Sequence, residues 1–437
     1  MRPGGGRVGG KVGRRVVVTW LLATALLLAS PLAAQSTPER GPAALPAHPP
    51  TRLPAGSELT IYLMTMGVGA EVWERFGHNA IVVEDRSRGT SIAYNYGMFS
   101  FRQENFVLRF IQGRMDYWMA GYPAEDEVPR YREMRRSVWR QELNLAPADR
   151  IALRDFLEWN ARPENRFYHY DYYLDNCSTR VRDALDRVLH GALEAQFQGP
   201  ASGNFRFHTQ RLVAANPFLY VGLALIEGQP VDRPNTRWEE MFLPLKVRDY
   251  LRTATITDST GAKVPLVTRE DTLYESTAFP VPDAPPNWLL PLFLIGSAIG
   301  GLFWWGGSRG RTSAPARYTL LVGGSFYALL TGVAAAIMAG LWAFTDHAVA
   351  GRNENVLQCS LVALLLTVAL PFAIGDRPWA LRWARGLALL IGGLSLAGVV
   401  FKVLPLFSQA NWPVLALFVP ANVGLAAGVV AWVGREK

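Results

Sequence analysis

The sequence predicts an α+β domain outside the cytoplasm, followed by an all-α transmembrane domain of five helices. Residues 57–280 mix polar and apolar positions as soluble domains do, whereas residues 288–437 are nearly all apolar apart from short polar or charged loops. The N-terminus has the form of a secretory signal, which sends the following segment out of the cytoplasm. We therefore expect two domains, joined by a linker at residues 281–287.

Residues 1–34 are predicted to be a signal peptide. Basic residues precede the apolar run at 16–30, and the small residues of PLAAQ follow it. Cleavage after Ala34 would place Leu32 at a position where a small residue is usual, so an uncleaved anchor is the alternative. The Pro- and Ala-rich segment at 35–56 is expected to be a flexible, semi-extended tether.

Five apolar runs in the C-terminal part approach the ~20 residues that a helix needs to cross a bilayer. They lie at 288–305, 318–344, 356–374, 386–401 and 413–433. The loops after the first and third runs carry three arginines each, and loops rich in arginine usually stay in the cytoplasm. With five spans, this orientation places residues 36–287 outside, as the signal sequence does independently.

The net charge of +8 is spread over the chain rather than gathered in one basic patch. Nucleic-acid binding, which depends on such a patch, is therefore not expected. No spacing typical of metal ligands occurs, and we expect neither a metal nor a cofactor. The partner that the composition predicts is the membrane.

Three stretches outline the soluble domain. Residues 59–67 predict a strand, and FGHNAIVVEDRSRGTSIAYNYG at 76–97 predicts a β-hairpin that turns near Gly89. Apolar residues at helical spacing predict a helix that begins near residue 177. Residues from about 104 to 160 are expected to be mainly helical.

Cys177, one of two cysteines in 437 residues, is the candidate nucleophile. The other, Cys359, lies within the third apolar run and cannot reasonably pair with it. An unpaired thiol outside the cytoplasm is a liability unless it is buried or used. Cys177 lies among polar residues at a predicted helix N-terminus, where the dipole and free amides lower the pKa of a thiol. These features favour a nucleophile, with a structural thiol as the alternative.

A nucleophilic cysteine needs a base, and His78 is the best placed. It follows Gly77 at the start of the hairpin, which suits an imidazole held on a rigid strand. His169 lies too close before Cys177 to fold back onto it easily, and His208 has no secondary-structure signal around it. A histidine followed about a hundred residues later by a helix-initial cysteine indicates a papain-like site in permuted order.

The residue that orients His78 is less clearly marked. Asn95 or Tyr96, on the return strand of the hairpin, can pair across to it. We take Asn95 as the third member of a predicted catalytic set that also contains Cys177.

Six further residues are candidate substrate-binding positions. Two are tyrosines before the cysteine, for which core packing is the alternative; one is a residue that can cap the helix; three belong to a polar loop after the second apolar run. They are Tyr170, Tyr172, Asn176, Asp346, His347 and Asn353. A loop that merely faces water would also be polar, so a connector is the alternative for the last three.

Several motifs resemble the Lnb-type family of bacterial lipoprotein N-acyltransferases. They are FGHNAI, AYNYG, YDYYLDNCSTRVRDAL, GQPVDRPNTRWEEMFLP and the TDH…NEN loop at 345–355. The resemblance implies a periplasmic domain with a permuted NlpC-type papain fold, tied to a transmembrane bundle in the bacterial inner membrane.

The resemblance also implies a reaction. The Cys177 thiolate would take a fatty acyl chain from a phospholipid, and the thioester would then acylate the N-terminal amine of a diacylglyceryl-cysteine lipoprotein. The alternatives are an NlpC-type cell-wall amidase or peptidase, a membrane phospholipase, and a non-catalytic envelope protein that binds lipoproteins.

Overall fold

The computed structural model describes residues 56–434, except 101, 103, 106–108, 110 and 111. The predicted signal peptide and all but the last residue of the predicted tether lie outside the described residues. Within them, a mixed α+β part is followed by five long apolar helices, which confirms the predicted classes of the two parts.

A seven-stranded antiparallel sheet forms the frame of the α+β part. The described strands are β1 (Leu59–Met66), β2 (His78–Asp85), β3 (Thr90–Met98), β4 (Asp116–Pro123), β5 (Val138–Leu143), β6 (Phe167–His169), β7 (Thr255–Thr257), β8 (Lys263–Pro265) and β9 (Val267–Tyr274). The order in the large sheet is β6-β4-β3-β2-β1-β5-β9, and β7 and β8 form a separate hairpin. The strands β2 and β3 therefore lie in the interior of the sheet.

The predicted hairpin is present as β2 and β3. The Asp85 carboxylate closes its turn by accepting hydrogen bonds from the backbone amides of Ser87 and Arg88, at 2.9 and 3.1 Å. This turn sets a register in which Ala80 lies opposite Asn95. Since the side chain of Asn95 is thereby brought to the end of the strand where His78 begins, the turn positions two of the predicted catalytic residues.

The segment from 104 to 160 is not mainly helical, because β4 and β5 lie within it. The strand β5 pairs with β1 on one side and with β9 on the other. This pairing stabilises the strand although its sequence is rich in charged residues. Arg140, on β5, donates a hydrogen bond to Asp271 of β9 at 3.0 Å. The partner that neutralises this charge lies more than a hundred residues away, so the local sequence gives no sign of the strand.

Eight α-helices are described in the α+β part. They are α1 (Glu127–Glu133), α2 (Pro147–Asn160), α3 (Cys177–Val188), α4 (Ala192–Gln196), α5 (Phe205–Leu212), α6 (Pro217–Ile226), α7 (Arg237–Glu240) and α8 (Pro244–Leu251). The helix α3 buries Val181, Leu185 and Val188 in the same apolar cluster as Leu63 and Ile81 of the sheet. This packing holds the first turn of α3 against β2 and β3.

Among the described residues, five helices are long and apolar enough to cross a membrane, as predicted. They are Leu289–Arg309, Ala314–Phe344, Glu354–Ile374, Pro378–Val403 and Trp412–Val433, called here the first to fifth spans. The fourth is longer than the predicted 386–401, because its helix begins at Pro378 and takes in two of the three arginines that were assigned to a loop, Arg382 and Arg385.

Hydrogen bonds between side chains tie the spans together. Asn422 of the fifth span accepts one from the Tyr327 hydroxyl of the second, at 2.8 Å. Its own amide donates to the Gln358 carbonyl of the third span at 2.9 Å and to the Ser395 hydroxyl of the fourth at 3.1 Å. Because water is scarce among apolar helices, such a satisfied polar cluster fixes how they pack.

The loops that follow the second and fourth spans contact the α+β part. The backbone amide of Gly228 donates to the Val349 carbonyl at 2.8 Å, and Gln409 Nε2 donates to the Glu227 carbonyl at 2.7 Å. A buried ion pair between Glu354 and Lys402 lies beside these contacts. Both loops therefore lie on the same side of the spans as the α+β part, as the arginine distribution predicts.

Replacing Lys402 by Met is expected to lower the free energy of unfolding by about 3–5 kcal/mol, because it leaves the Glu354 carboxylate buried without its cation. The double variant Glu354→Gln with Lys402→Met removes both charges and is expected to recover most of that loss. Thermal unfolding in detergent measures the stability of the single and the double variant. A double variant as unstable as Lys402→Met alone would contradict the pairing.

Candidate active site

Cys177 is the first residue of α3, and Asn176 is the residue that caps it. The side-chain oxygen of Asn176 accepts hydrogen bonds from the backbone amides of Ser178 and Thr179, at 2.8 and 3.0 Å. Its side-chain amide donates to the backbone carbonyls of Tyr172 and Phe242, at 2.8 and 3.0 Å. All of its hydrogen-bonding capacity is thus used within the fold. Asn176, predicted to bind substrate, holds the turn that carries the cysteine.

The first turn of α3 is fastened to β2 through buried side chains. Ser178 Oγ donates a hydrogen bond to Asn79 Oδ1 at 2.9 Å, and Asn79 Nδ2 donates to Thr65 Oγ1 at 2.8 Å. Since Ser178 follows Cys177 and Asn79 follows His78, this contact brings the two predicted catalytic residues together.

Two glycines with left-handed backbone let the chain pass close to the site. Gly77, at φ +86°, precedes His78, and a Cβ there would lie 2.8 Å from the Met66 carbonyl oxygen. Gly97, at φ +85° on β3, lies against the cysteine, where a Cβ would stand 3.4 Å from Cys177 Cβ. Both positions disfavour any other residue through backbone strain, and Gly77 also through the clash.

His78 is held by a chain of buried hydrogen bonds. Its Nε2 lies 2.8 Å from Asn95 Oδ1, and Asn95 Nδ2 lies 3.0 Å from Glu127 Oε1. Asn95 and Glu127 are both buried, Glu127 with 1% of its surface exposed. Asn95 thus lies where the sequence places it, and the chain continues to Glu127, which the sequence analysis missed.

This chain also settles which ring nitrogen carries the proton. Asn95 Nδ2 faces two acceptors, the Glu127 carboxyl and the Ala93 carbonyl at 3.2 Å, so its side-chain oxygen must face His78. An oxygen can only accept, and therefore His78 Nε2 carries the hydrogen. No group among the described residues is hydrogen-bonded to His78 Nδ1, so the lone pair on this nitrogen can take a proton, as a base requires.

Burial moves the pKa values of the two reactive groups apart. It raises the pKa of the Cys177 thiol to about 11. The backbone amides of Asn79, Cys177 and Ser178 lower this pKa, but their effect is smaller than that of burial. Burial also lowers the pKa of His78 to about 4, although the hydrogen bond to Asn95 raises it. The expectation that the helix N-terminus gives Cys177 a low pKa is wrong, because the loss of water outweighs the amides.

The resting site therefore holds a neutral thiol beside a neutral imidazole. The two side chains are not hydrogen-bonded to each other among the described residues, and both retain some accessible surface. Hydrogen bonds between catalytic groups are often long before substrate binds. The cationic side chain of Arg136, which is 5% exposed, lowers the pKa of both Cys177 and His78. It therefore favours the thiolate form of Cys177 and disfavours the imidazolium form of His78.

Aromatic rings surround the cysteine. Tyr170 stacks on Tyr117 with 4.2 Å between ring centroids, and Tyr117 contacts Phe99 at 5.4 Å. Tyr172 instead packs edge-on against Phe76 at 4.7 Å, and its buried hydroxyl has no hydrogen-bond partner in the part of the chain that is described. Tyr170 thus belongs to a row of rings with Tyr117 and Phe99, whereas Tyr172 packs in a separate cluster.

The three predicted loop residues are placed differently from one another. Asp346 accepts a hydrogen bond from Arg114 at 2.8 Å, and the ring of His347 lies against Gly113, so both contact the segment that leads into β4. Asn353 is buried, and its side chain is occupied by backbone groups of α6 and by the amide of Asn355. It therefore joins the two parts of the chain.

The rival histidines are engaged elsewhere or exposed. His208, in α5, donates through Nε2 to Glu240 at 2.7 Å and accepts at Nδ1 from Arg211 at 3.0 Å, so neither nitrogen is free to act as a base. His169 is exposed on β6, opposite Asp116. Among the described residues, no group of three His, Cys, Asp or Glu side chains is arranged to hold a metal ion.

Alkylation of Cys177 by iodoacetamide is expected to speed up about tenfold per pH unit between pH 6.5 and 9.5, because only the thiolate reacts and its pKa lies near 11. Mass spectrometry of the intact chain measures the rate, with Cys177→Ser as the control for other sites. A rate that levels off by pH 8 would show an ordinary or lowered thiol pKa and contradict the burial argument.

Comparison with known proteins agrees with the motifs. Residues 49–215 match the family model described as the Lnb N-terminal periplasmic domain. No curated protein and no solved structure matches the chain. The match spans β1 to α5 and includes Cys177, His78, Asn95 and Glu127. Residues 49–215 thus match the Lnb N-terminal periplasmic domain, and this match confirms the resemblance of this membrane protein to the Lnb-type family.

Proposed function

We propose that Cys177, His78 and Asn95 form a permuted papain-like acyltransferase site, which moves a fatty acyl chain from a phospholipid to the N-terminal amine of a diacylglyceryl-cysteine lipoprotein. The observation that carries the proposal is the chain of hydrogen bonds from Glu127 through Asn95, which leaves His78 Nδ1 as a base on the strand to which the cysteine's turn is hydrogen-bonded. A sheet that supplies the imidazole and amide, and a helix that begins with the cysteine, are the parts of such a site.

In the first half-reaction, Cys177 Sγ attacks an ester carbonyl of the phospholipid, and His78 Nδ1 takes the thiol proton. The carbonyl oxygen becomes an oxyanion, for which the backbone amide of Cys177 is the candidate donor, because the amides of Ser178 and Thr179 are bound by Asn176. When the carbon–oxygen bond breaks, the departing lysophospholipid oxygen receives the proton from His78. The product is a thioester on Cys177, and no net proton is gained or lost.

In the second half-reaction, the neutral N-terminal amine of the lipoprotein attacks the thioester. His78 takes a proton from the attacking nitrogen, the carbon–sulfur bond breaks, and the thiolate recovers the proton from His78. The products are an N-acylated lipoprotein and the original thiol. Since the pKa of His78 is lowered to about 4, its imidazole is available as a base throughout the neutral pH range.

The neutral resting pair suits a site that works at a membrane. A thiolate–imidazolium pair would have to be maintained in surroundings with little water, whereas a neutral pair forms charge only while the reaction proceeds. Amides directed at the sulfur and the nearby Arg136 cation favour the negative charge when it forms. Little water near the thioester also favours transfer to an amine over hydrolysis.

The connection to the spans supports lipid substrates at the periplasmic face of the inner membrane. Hydrogen bonds fasten the α+β part to the loops after the second and fourth spans, so its distance from the bilayer is set. Both proposed substrates are lipids or lipid-anchored. A cell-wall amidase or peptidase has no comparable need for this attachment.

Purified protein in phospholipid nanodiscs is expected to N-acylate a synthetic diacylglyceryl-cysteine peptide, and Cys177→Ser is expected to abolish the product because serine lacks the nucleophilic sulfur. Cys359→Ser, at the other cysteine, is the matched control and is expected to remain active. Mass spectrometry measures both the acylated peptide and an acyl adduct on Cys177.

The products distinguish the alternatives. Release of free fatty acid without acylated peptide would indicate a phospholipase, and acylated peptide formed equally by Cys177→Ser would contradict the thioester route. If neither product forms and no acyl adduct appears on Cys177, the acyl-transfer proposal is wrong, and a cell-wall amidase or peptidase and a structural cysteine remain.

Replacing Glu127 by Leu is expected to slow acyl transfer by about ten- to a hundredfold, because Asn95 loses an acceptor that keeps its oxygen toward His78. Glu127→Gln keeps an acceptor oxygen and is expected to stay near the original rate. Glu133→Leu, on the exposed end of the same helix, is the control. Rates equal in Glu127→Leu and Glu133→Leu would contradict this positioning role, and thermal unfolding of each variant separates it from a loss of fold.

A further inference from the structure

The helix α6 (Pro217–Ile226) has the composition of a membrane element but lies in the α+β part. Its sequence, PFLYVGLALI, contains no charged residue. Ten helical residues extend about 15 Å, half of the hydrocarbon thickness of a bilayer, so this helix is too short to cross it. An apolar helix of this length is either buried in a protein core or lies at a membrane interface.

One face of α6 packs on the spans. Ala224 is buried in the same apolar cluster as Val414 and Phe418 of the fifth span, and Val221 and Leu225 pack against that cluster. Tyr220, one turn before Ala224, is also buried. Val221, Ala224 and Leu225 recur at helical spacing and define the face that is turned toward the spans.

The C-terminal end of α6 is closed by Asn353, which precedes the third span, and by Asn355, in the first turn of that span. Asn355 Nδ2 donates to the carbonyls of Ala224 and Leu225, at 2.8 and 3.1 Å. Asn353 Nδ2 donates to the carbonyls of Leu225 and Ile226, at 2.7 and 2.9 Å. A helix end normally depends on water for these carbonyls. Here they are satisfied without water, which is what a helix end needs where water is scarce.

The opposite face of α6 is apolar and open. Phe218 has 92% of its surface exposed and Ile226 has 36%, and they lie eight residues apart on one side of the helix. Gly222 lies between them, and a Cβ added there would meet nothing within 4 Å. The fifth span, against which α6 packs, also exposes apolar side chains, among them Trp412 and Val423.

We propose that α6 lies in the outer leaflet of the bilayer, with the face formed by Phe218, Gly222 and Ile226 against lipid acyl chains. The spans hold the helix from one side, and lipid covers the other. This is the arrangement of an interfacial helix, buried about 5–10 Å below the headgroup boundary. The proposal rests on the packing of α6 and does not depend on the acyl-transfer reaction.

An interfacial α6 also orients the candidate site toward the membrane. Glu227 follows the helix directly, and its carboxylate accepts a hydrogen bond from the Tyr173 hydroxyl at 2.7 Å. Tyr173 lies four residues before Cys177, in the segment that leads into α3. A short chain of contacts therefore joins the proposed lipid-bound helix to the turn that carries the cysteine.

Depth-dependent quenching of a fluorescent label tests the proposal on the full chain. A single cysteine is introduced by Gly222→Cys or by Phe218→Cys in a chain that also carries Cys177→Ser and Cys359→Ser. It is labelled with a nitrobenzoxadiazole dye and placed in nanodiscs with a nitroxide on carbon 5 of the lipid acyl chain. Both positions are open, so neither label displaces a packed side chain.

Ser259→Cys is the matched control, since Ser259 is exposed in the turn between β7 and β8. The label at position 222 or 218 is expected to be quenched at least about twofold more than the label at 259, because it lies at the depth of the nitroxide. Quenching no greater than at 259 would overturn the proposal. The same weak quenching would also overturn the proposal if the fluorescence of the dye indicated surroundings without water, because protein rather than lipid would then cover the face.

Discussion

The attachment of the first turn of α3 to β2 is the contact on which the rest of the candidate site depends. Asn176 ends the segment before the helix, and the hydrogen bond from Ser178 to Asn79 holds that turn on the strand. Both groups are buried, so breaking the contact would leave polar atoms without partners. The thiol, the imidazole and the amides near the sulfur keep their relative positions because of this one fastening.

Burial decides the chemistry that this geometry can perform. A helix N-terminus alone favours a thiolate, yet in this structure the pKa of Cys177 is raised and that of His78 is lowered by the same loss of water. Cys177 and His78 are both neutral before substrate arrives, and the base must act during the attack. Glu127 contributes at a distance, since its carboxyl orients Asn95, which in turn determines the free nitrogen of His78.

The junction between the α+β part and the spans relies on polar contacts that are already satisfied. Asn353, Asn355 and Gln409 use their side chains on backbone groups of the neighbouring part, and the Glu354–Lys402 pair lies among them. Such contacts have defined geometry, unlike apolar surfaces that can slide past each other. The candidate site is thereby kept at a set position relative to the spans.

The features that could be predicted from the sequence are those that depend on neighbouring residues along the chain. Apolar runs predicted five spans, turn residues predicted the β2–β3 hairpin, and a polar cap before an amphipathic segment predicted the helix that begins at Cys177. Through the hairpin, the sequence also placed Asn95 near His78. These signals act within one element or across one tight turn.

The other features of the fold and site could not be predicted from the sequence, because they depend on residues that are distant along the chain. The strand β5 is held by β1 and β9, Glu127 reaches Asn95 from another element, and Asn353 binds backbone groups of α6. The direction in which the pKa of Cys177 shifts is likewise set by how much protein surrounds the sulfur. Burial and long-range pairing are properties of the assembled fold, and no local pattern encodes them.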